Sequence, residues 1–170
     1  FNLVDEKGYV DNKATGNTVP EREQNTARIS AIYDVTNIST LLLSYQYDDL
    51  SILGDAFQPD KDYTGFLASM DPSADVGLDT TKNTWTSYSD SGDAEDDQGS
   101  QRAYIQYDHA FSEYQLTALT GWSKYNNDRL TDSDFLSVDY LTTTYTSDYE
   151  QTSQELRLAS PTGERLEYVV

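Results

Sequence analysis

The stretch ARISAIYDVTNISTLLLSYQYDD, Ala27 to Asp49, alternates apolar and polar residues on both sides of a turn-like Thr-Asn-Ile-Ser. Ala27, Ile29, Ala31, Tyr33 and Val35 share one parity and Arg28, Ser30 and Asp34 the other, with Ile32 the exception. Successive side chains of a strand point to opposite faces, so this period of two gives the segment one apolar and one polar face. Beyond the turn, Leu41, Leu43, Tyr45 and Tyr47 repeat the pattern against Ser44, Gln46 and Asp48. Two such runs joined by a short turn predict an antiparallel hairpin over about 26–49.

The same construction recurs downstream. QRAYIQYDHAF sets Ala103, Ile105, Tyr107 and Phe111 against Arg102, Gln106 and Asp108, and YQLTALTGWSKY sets Tyr114, Leu116, Ala118 and Trp122 against Gln115, Thr117, Gly121 and Ser123. This predicts a second hairpin over about 101–127. A third, over about 150–170, begins with Leu156 and Leu158 against Glu155 and Arg157 and stops while Leu166, Tyr168 and Val170 are still alternating. Between the hairpins lie long connections rich in Asp, Ser, Thr and Gly, over about 50–100 and about 128–147. Structureless connections beyond ~15 residues are uncommon in compact domains. Short turns alternating with long loops, around strands of about 9 to 11 residues, are the pattern of a transmembrane β-barrel. In lipid a closed sheet is the strand arrangement that satisfies every backbone N–H and C=O. Tyr33, Tyr45, Tyr47, Tyr107, Trp122 and Tyr125 lie near the expected strand ends, where an interfacial aromatic girdle would sit.

The alternation also fits a soluble or surface β-sandwich that binds carbohydrate or calcium. A sandwich buries Val, Ile and Leu between two sheets with turns every ~8 to 12 residues, whereas the apolar parity here is rich in Tyr and Ala. Composition narrows the field further. Hydrophobic residues make up 36% of the chain, too few for an ordinary core, yet fourteen Tyr and two Trp set it apart from a disordered acidic tail. A net charge of -19 excludes a nucleic-acid partner, which would need Lys and Arg on phosphate. With no Cys there is no disulfide framework or thiolate metal site. No apolar run approaches the ~20 residues of a spanning helix, and the first residues lack the layout of a signal peptide.

The tract TSQELRLASPTGERLEYVV, Thr152 to Val170, resembles the TonB-dependent outer-membrane receptors, in which a Gln-Glu-Leu-Arg-Leu strand, a Ser-Pro turn with Gly and a Leu-x-Tyr-Val strand recur together. YQLTALTGWSKYNNDRLTDSDF, Tyr114 to Phe135, is similar to the preceding barrel strand of that family, and Ala27–Asp49 to an earlier hairpin. The segment from Ile52 to Gln98 carries no such resemblance. The resemblance implies an all-β fold, an antiparallel meander of about six to seven strands within a barrel of about 22 strands in the bacterial outer membrane. It also implies that the plug domain, the segment that contacts TonB and the closing strand lie outside this chain. The partners would be outer-membrane lipid, the protein's own plug, TonB, and a small-molecule or oligosaccharide ligand of the siderophore, vitamin or haem class. Loop aromatics favour a sugar or an aromatic siderophore, and the acidity disfavours a strongly anionic ligand.

Asp93, Glu95, Asp96 and Asp97, in the acidic run DSGDAEDDQ, are oxygen ligands of the kind Ca²⁺ prefers, but without the spacing of an EF-hand. Calcium is the one cofactor they suggest, and a solvated acidic loop is the simpler reading. Tyr63, Phe66, Trp85 and Tyr88 are the loop aromatics able to stack on a ligand. Arg102, Gln106, Glu155 and Arg157 fall on the polar parity and would face the barrel lumen. His109, the only histidine, reads as a rim residue, and no nucleophile elbow accompanies it. Adjacent carboxylates such as Asp48 and Asp49 face opposite ways in a strand and cannot converge on a glycosidic bond. No enzyme is expected. An acidic surface protein without a transport role is a third possibility.

Overall fold

The computed structural model describes residues 1–57, 64–70, 86–87, 94–134 and 139–170. The described residues are all-β apart from one short helix. In order it runs β1 (Asn2–Glu6), β2 (Val10–Asn12), β3 (Thr18–Val19), β4 (Glu21–Thr36), β5 (Ser39–Leu53), α1 (Phe66–Met70), β6 (Thr86–Ser87), β7 (Glu95–Phe111), β8 (Tyr114–Asp132) and β9 (Thr142–Ala159). A six-stranded antiparallel sheet has the order β1-β4-β5-β7-β8-β9, so its strands lie side by side in chain order. The short β2, β3 and β6 form a second sheet in the order β3-β2-β6, built from the connections at one end of the large sheet.

The connections are unequal, as the alternation predicts. Asn37 and Ile38 join β4 to β5, and Ser112 and Glu113 join β7 to β8. Ser112 has a φ of 55°, the left-handed first residue that a two-residue hairpin loop uses. At the other end, 7–20, 54–94 and 133–141 connect the strands. The two ends are called the turn end and the loop end below.

The strands expected at about 9 to 11 residues instead run, from β4 to β9 in the large sheet, from 15 residues in β5 to 19 in β8. The connection expected over about 50–100 starts after Leu53 and ends before Glu95, and the one expected over about 128–147 shrinks to 133–141. The expectation stopped each strand where apolar residues gave out, but ladder bonds use backbone groups and tolerate polar side chains. Asp48 pairs with Ser100, Leu50 with Gln98 and Asn127 with Ser147 in an unbroken register. The third hairpin is present in outline. Leu158 N–H donates to Val170 O at 2.8 Å, Ser160 N–H to Tyr168 O at 2.9 Å, and Ala159 bridges Val169.

Burial is sparse. Val10, Val19 and Ala94, at 4%, 1% and 2% exposure, are the buried hydrophobic residues among those described. Val10 pairs with Val19, and Gly54, whose N–H donates to Ala94 O at 2.6 Å, lies against Val19, so this small core sits at the loop end. Among the described residues nothing forms a layer over the large sheet: Ile29, Tyr33 and Leu156 are 70%, 66% and 68% exposed.

Gly54 is required twice over, by a φ of +83° and by Val19, whose Cγ1 would lie 2.2 Å from an added Cβ. Gly16 has a similar φ of +79° with nothing nearby. Gly54→Ala should therefore cost ~3 kcal/mol in a denaturant titration, against ~1 kcal/mol for Gly16→Ala, the excess being overpacking. Equal costs would mean that Val19 does not pack on Gly54.

Candidate functional site

The register sorts the side chains into two faces. One row runs Tyr33, Leu41, Tyr107, Ala118, Leu156 across five strands, and the rows above it run Ala31, Leu43, Ile105, Thr120, Gln154 and then Ile29, Tyr45, Ala103, Trp122, Thr152. These rows form an apolar band. Towards the turn end it closes in a column of rings: Tyr107 on His109 at 6.2 Å, His109 on Phe111 at 6.1 Å and Phe111 on Tyr114 at 5.8 Å between centroids. Residues two apart on one strand share a face, which is why Tyr107, His109 and Phe111 stack. His109 Nδ1 is 2.7 Å from Ser39 Oγ in the opposing position of β5.

Towards the loop end the band is bordered by aromatic side chains with hydrogen-bonded polar tips. Tyr45 donates to Gln101 Oε1 at 3.1 Å and Trp122 Nε1 to Glu150 Oε1 at 2.9 Å, each in the next row towards the loop end. Of the expected girdle, Tyr33, Tyr45, Tyr47, Tyr107 and Trp122 lie on this face, but Tyr125 does not. It is three residues from Trp122, hence on the opposite face, where its hydroxyl donates to Gln98 at 3.3 Å. Beyond the border the same face turns acidic, through Glu23, Asp49, Asp97, Asp128 and Asp148.

The second face is polar and largely bonded within itself. Three carboxylates each gather amide or hydroxyl donors. Asp48 accepts from Thr26 at 3.0 Å, Gln46 at 2.8 Å and Ser100 at 3.3 Å. Asp108 accepts from Gln106 at 2.7 Å and Thr117 at 2.5 Å. Asp96 accepts from Gln98 at 3.1 Å and Asn127 at 2.5 Å. Each combines a Gln two residues away on the same strand with a donor on a neighbouring strand. Hydrogen bonds to an ionised acceptor are the stronger kind.

All the residues assigned to the lumen by sequence lie on this face. Gln106, Glu155 and Arg157 line one recess of about 220 Å³ with Asp108 and Thr117. Arg157 is paired with Glu155, while Arg102 lies nearer the loop end and makes no ion pair among the described residues. Glu95 and Asp97 take one face and Asp96 the other, so these three do not converge, and Asp93 lies outside the described residues. Among the described residues no three His, Asp or Glu side chains gather as a metal would require. Phe66 starts α1 and is 57% exposed; Tyr63, Trp85 and Tyr88 lie outside the described residues.

Sequence reasoning missed Asp55. Its carboxylate meets Arg129 Nη2 at 3.5 Å and also accepts from the Thr131 hydroxyl. No spacing signals a contact between residues so far apart in the chain. The Gln-x-Asp pairs were legible as i, i+2 partners on a polar parity but were not singled out.

In comparisons with known proteins, the chain matches no family model and no curated protein. Among the described residues no helix is long and apolar enough to cross a membrane, which has no bearing on crossing by strands.

Asp48→Ala leaves three donors without their acceptor and should lower stability by ~1–3 kcal/mol in a denaturant titration, whereas the exposed Asp128→Ala should change it by less than ~0.5 kcal/mol at moderate salt. Asp97 directly opposes Asp128 in the ladder. Like charges in that position repel, so Asp97→Asn should raise the unfolding midpoint in low salt and lose the advantage near 1 M NaCl, where the screening length falls to ~3 Å.

Proposed function

We propose that this chain is part of the wall of a transmembrane β-barrel of about 22 strands, and that the barrel is an outer-membrane receptor of the TonB-dependent kind. Such a receptor binds a scarce ligand of the siderophore, vitamin, haem or oligosaccharide class and imports it with energy transmitted by TonB. The supporting observation is the pair of unlike faces on one sheet that no layer of described residues covers: an exposed apolar band with aromatic borders on one side and a hydrogen-bonded polar network on the other.

The dimensions agree with this reading. From Phe111 to Gln101 the strand rises ~33 Å. A tilt of ~40° reduces that to ~25 Å, the height of the apolar band on such barrels. Short turns at one end and longer connections at the other match the periplasmic and extracellular rims of that architecture. A sandwich would need a second layer over Ile29, Leu43, Ile105 and Leu156, which are 41% to 70% exposed here. Six strands are too few to close around a lumen, the smallest such barrels having about eight, so the complete wall takes further strands. The polar face, bonded within itself, then lines the interior, and the loop end receives the ligand. The reading assigns binding and transport, with no catalytic step.

The test is a charge placed on each face. Ile105→Lys should destabilise the protein in vesicles by ~2–4 kcal/mol, as lysine does near a bilayer midplane. Ser123→Lys, on the polar face, should cost under ~1 kcal/mol. Equal costs, or a protein that stays monomeric and soluble without detergent, would remove the membrane assignment.

A further inference from the structure

Asp55 lies two residues beyond the end of β5, yet the groups it meets belong to β8. β7 runs between those strands, so the contact spans two interstrand spacings, ~10 Å. Arg129 and Thr131 share the polar face, and so does Ala94, which continues the register of β7 opposite Gly54. The chain leaving β5 therefore crosses the end of β7 on the polar side. Ala94 lies at this crossing and is 2% exposed. Beneath and beside the crossing is a pocket of about 210 Å³ whose apolar lining is Pro20, Ile52, Ala56, Phe57, Ala94 and Leu130.

We infer that Gly54–Phe57 is a strap, clasped across the polar face by Asp55 on Arg129 and Thr131, that covers this pocket and opens when the clasp is released. Two features favour an openable clasp over a permanent one. The Asp55 side chain is 15% exposed and that of Arg129 38%, so water reaches the pair and weakens it relative to a fully buried one. Asp96 stands opposite Arg129 in the ladder and lines the same pocket, which sets a second carboxylate close to the one in the clasp.

The clasp stands on the geometry alone. That it closes towards a lumen rests on the function proposed above. A ligand arriving from the loop end would then meet the strap before the polar face, and release of Asp55 would expose Ile52 and Asp96 beneath it.

Cysteine labelling tests this, because these 170 residues hold no Cys; any cysteine elsewhere in the full protein is first replaced by Ser. The full protein carrying Ile52→Cys is treated with a maleimide in detergent micelles, with Ser30→Cys, on the polar face far from the strap, as control. Adding Asp55→Asn should speed labelling at position 52 about tenfold and leave position 30 unchanged. An unchanged rate at position 52 overturns the inference, and so does equal acceleration at both positions, which would be general loosening. If Asp55→Asn is not recovered folded, the pair Arg129→Gln and Thr131→Val replaces it under the same two readings. Labelling reports on the strap whether or not the apolar face meets lipid, so its failure is separate from failure of the membrane assignment.

Discussion

A single antiparallel sheet cannot bury its own side chains. Its ladder satisfies backbone N–H and C=O groups internally, but each face needs something outside the sheet to lie against. Among the described residues neither face has a covering layer, and the buried hydrophobic ones are confined to Val10, Val19 and Ala94 at the loop end. Stability must come from the ladder and from the surroundings of the apolar band. In water that band would forgo the ~25 cal/mol per Å² that apolar burial supplies, and in hydrocarbon it would recover it. Register is consequently critical: a slip by one residue would turn Ile29, Leu43 and Ile105 to the polar side and Gln46 and Arg102 to the apolar one. The two-residue turns at Asn37-Ile38 and Ser112-Glu113 pin that register at one end. The Ser39–His109 contact and the ring column from Tyr107 to Tyr114 reinforce it at the same end.

The polar face follows a different rule. Carboxylates held against a sheet without counter-cations must find donors, and with few Lys and Arg in the chain the donors are mostly neutral. Asp48, Asp96 and Asp108 meet this need with glutamine, asparagine, serine and threonine. Neutral donors leave the negative charge in place while lowering the cost of holding it, so the face remains acidic as well as ordered. A network of this kind also ties three strands at a time, as Asp48 does across β4, β5 and β7. It thereby supplies some of the cross-strand cohesion that a hydrophobic core supplies in other folds.

Much of this was legible in the sequence, for a physical reason. Period-two alternation survives any tertiary context because it is a property of the strand itself, so the parities of Ala27–Val35 and Ala103–Phe111 gave the faces and the hairpins directly. Arg102, Gln106, Glu155 and Arg157 were assigned to one face on the same ground, and Tyr125 was misassigned only where its parity was overlooked. Strand ends were less legible because Asp48–Leu53 and Asn126–Asp132 look like loop by composition while their backbones pair as strand. Least legible was the Asp55 clasp, which depends on how a connection folds back over the sheet and leaves no periodic trace.

The strand extensions and the clasp have a common cause. Had the strands ended with the apolar band, Arg129 and Thr131 would belong to a loose connection, with nothing to fix their separation or direction. Because the ladder carries β8 on to Asp132, both side chains project from rigid, bonded backbone at a two-residue interval. The crossing chain needs a small residue beneath it, which Ala94 provides, and a left-handed residue to leave β5, which Gly54 provides. A polar extension of the strands beyond the apolar band is thus the platform on which a connecting segment is held over the polar face.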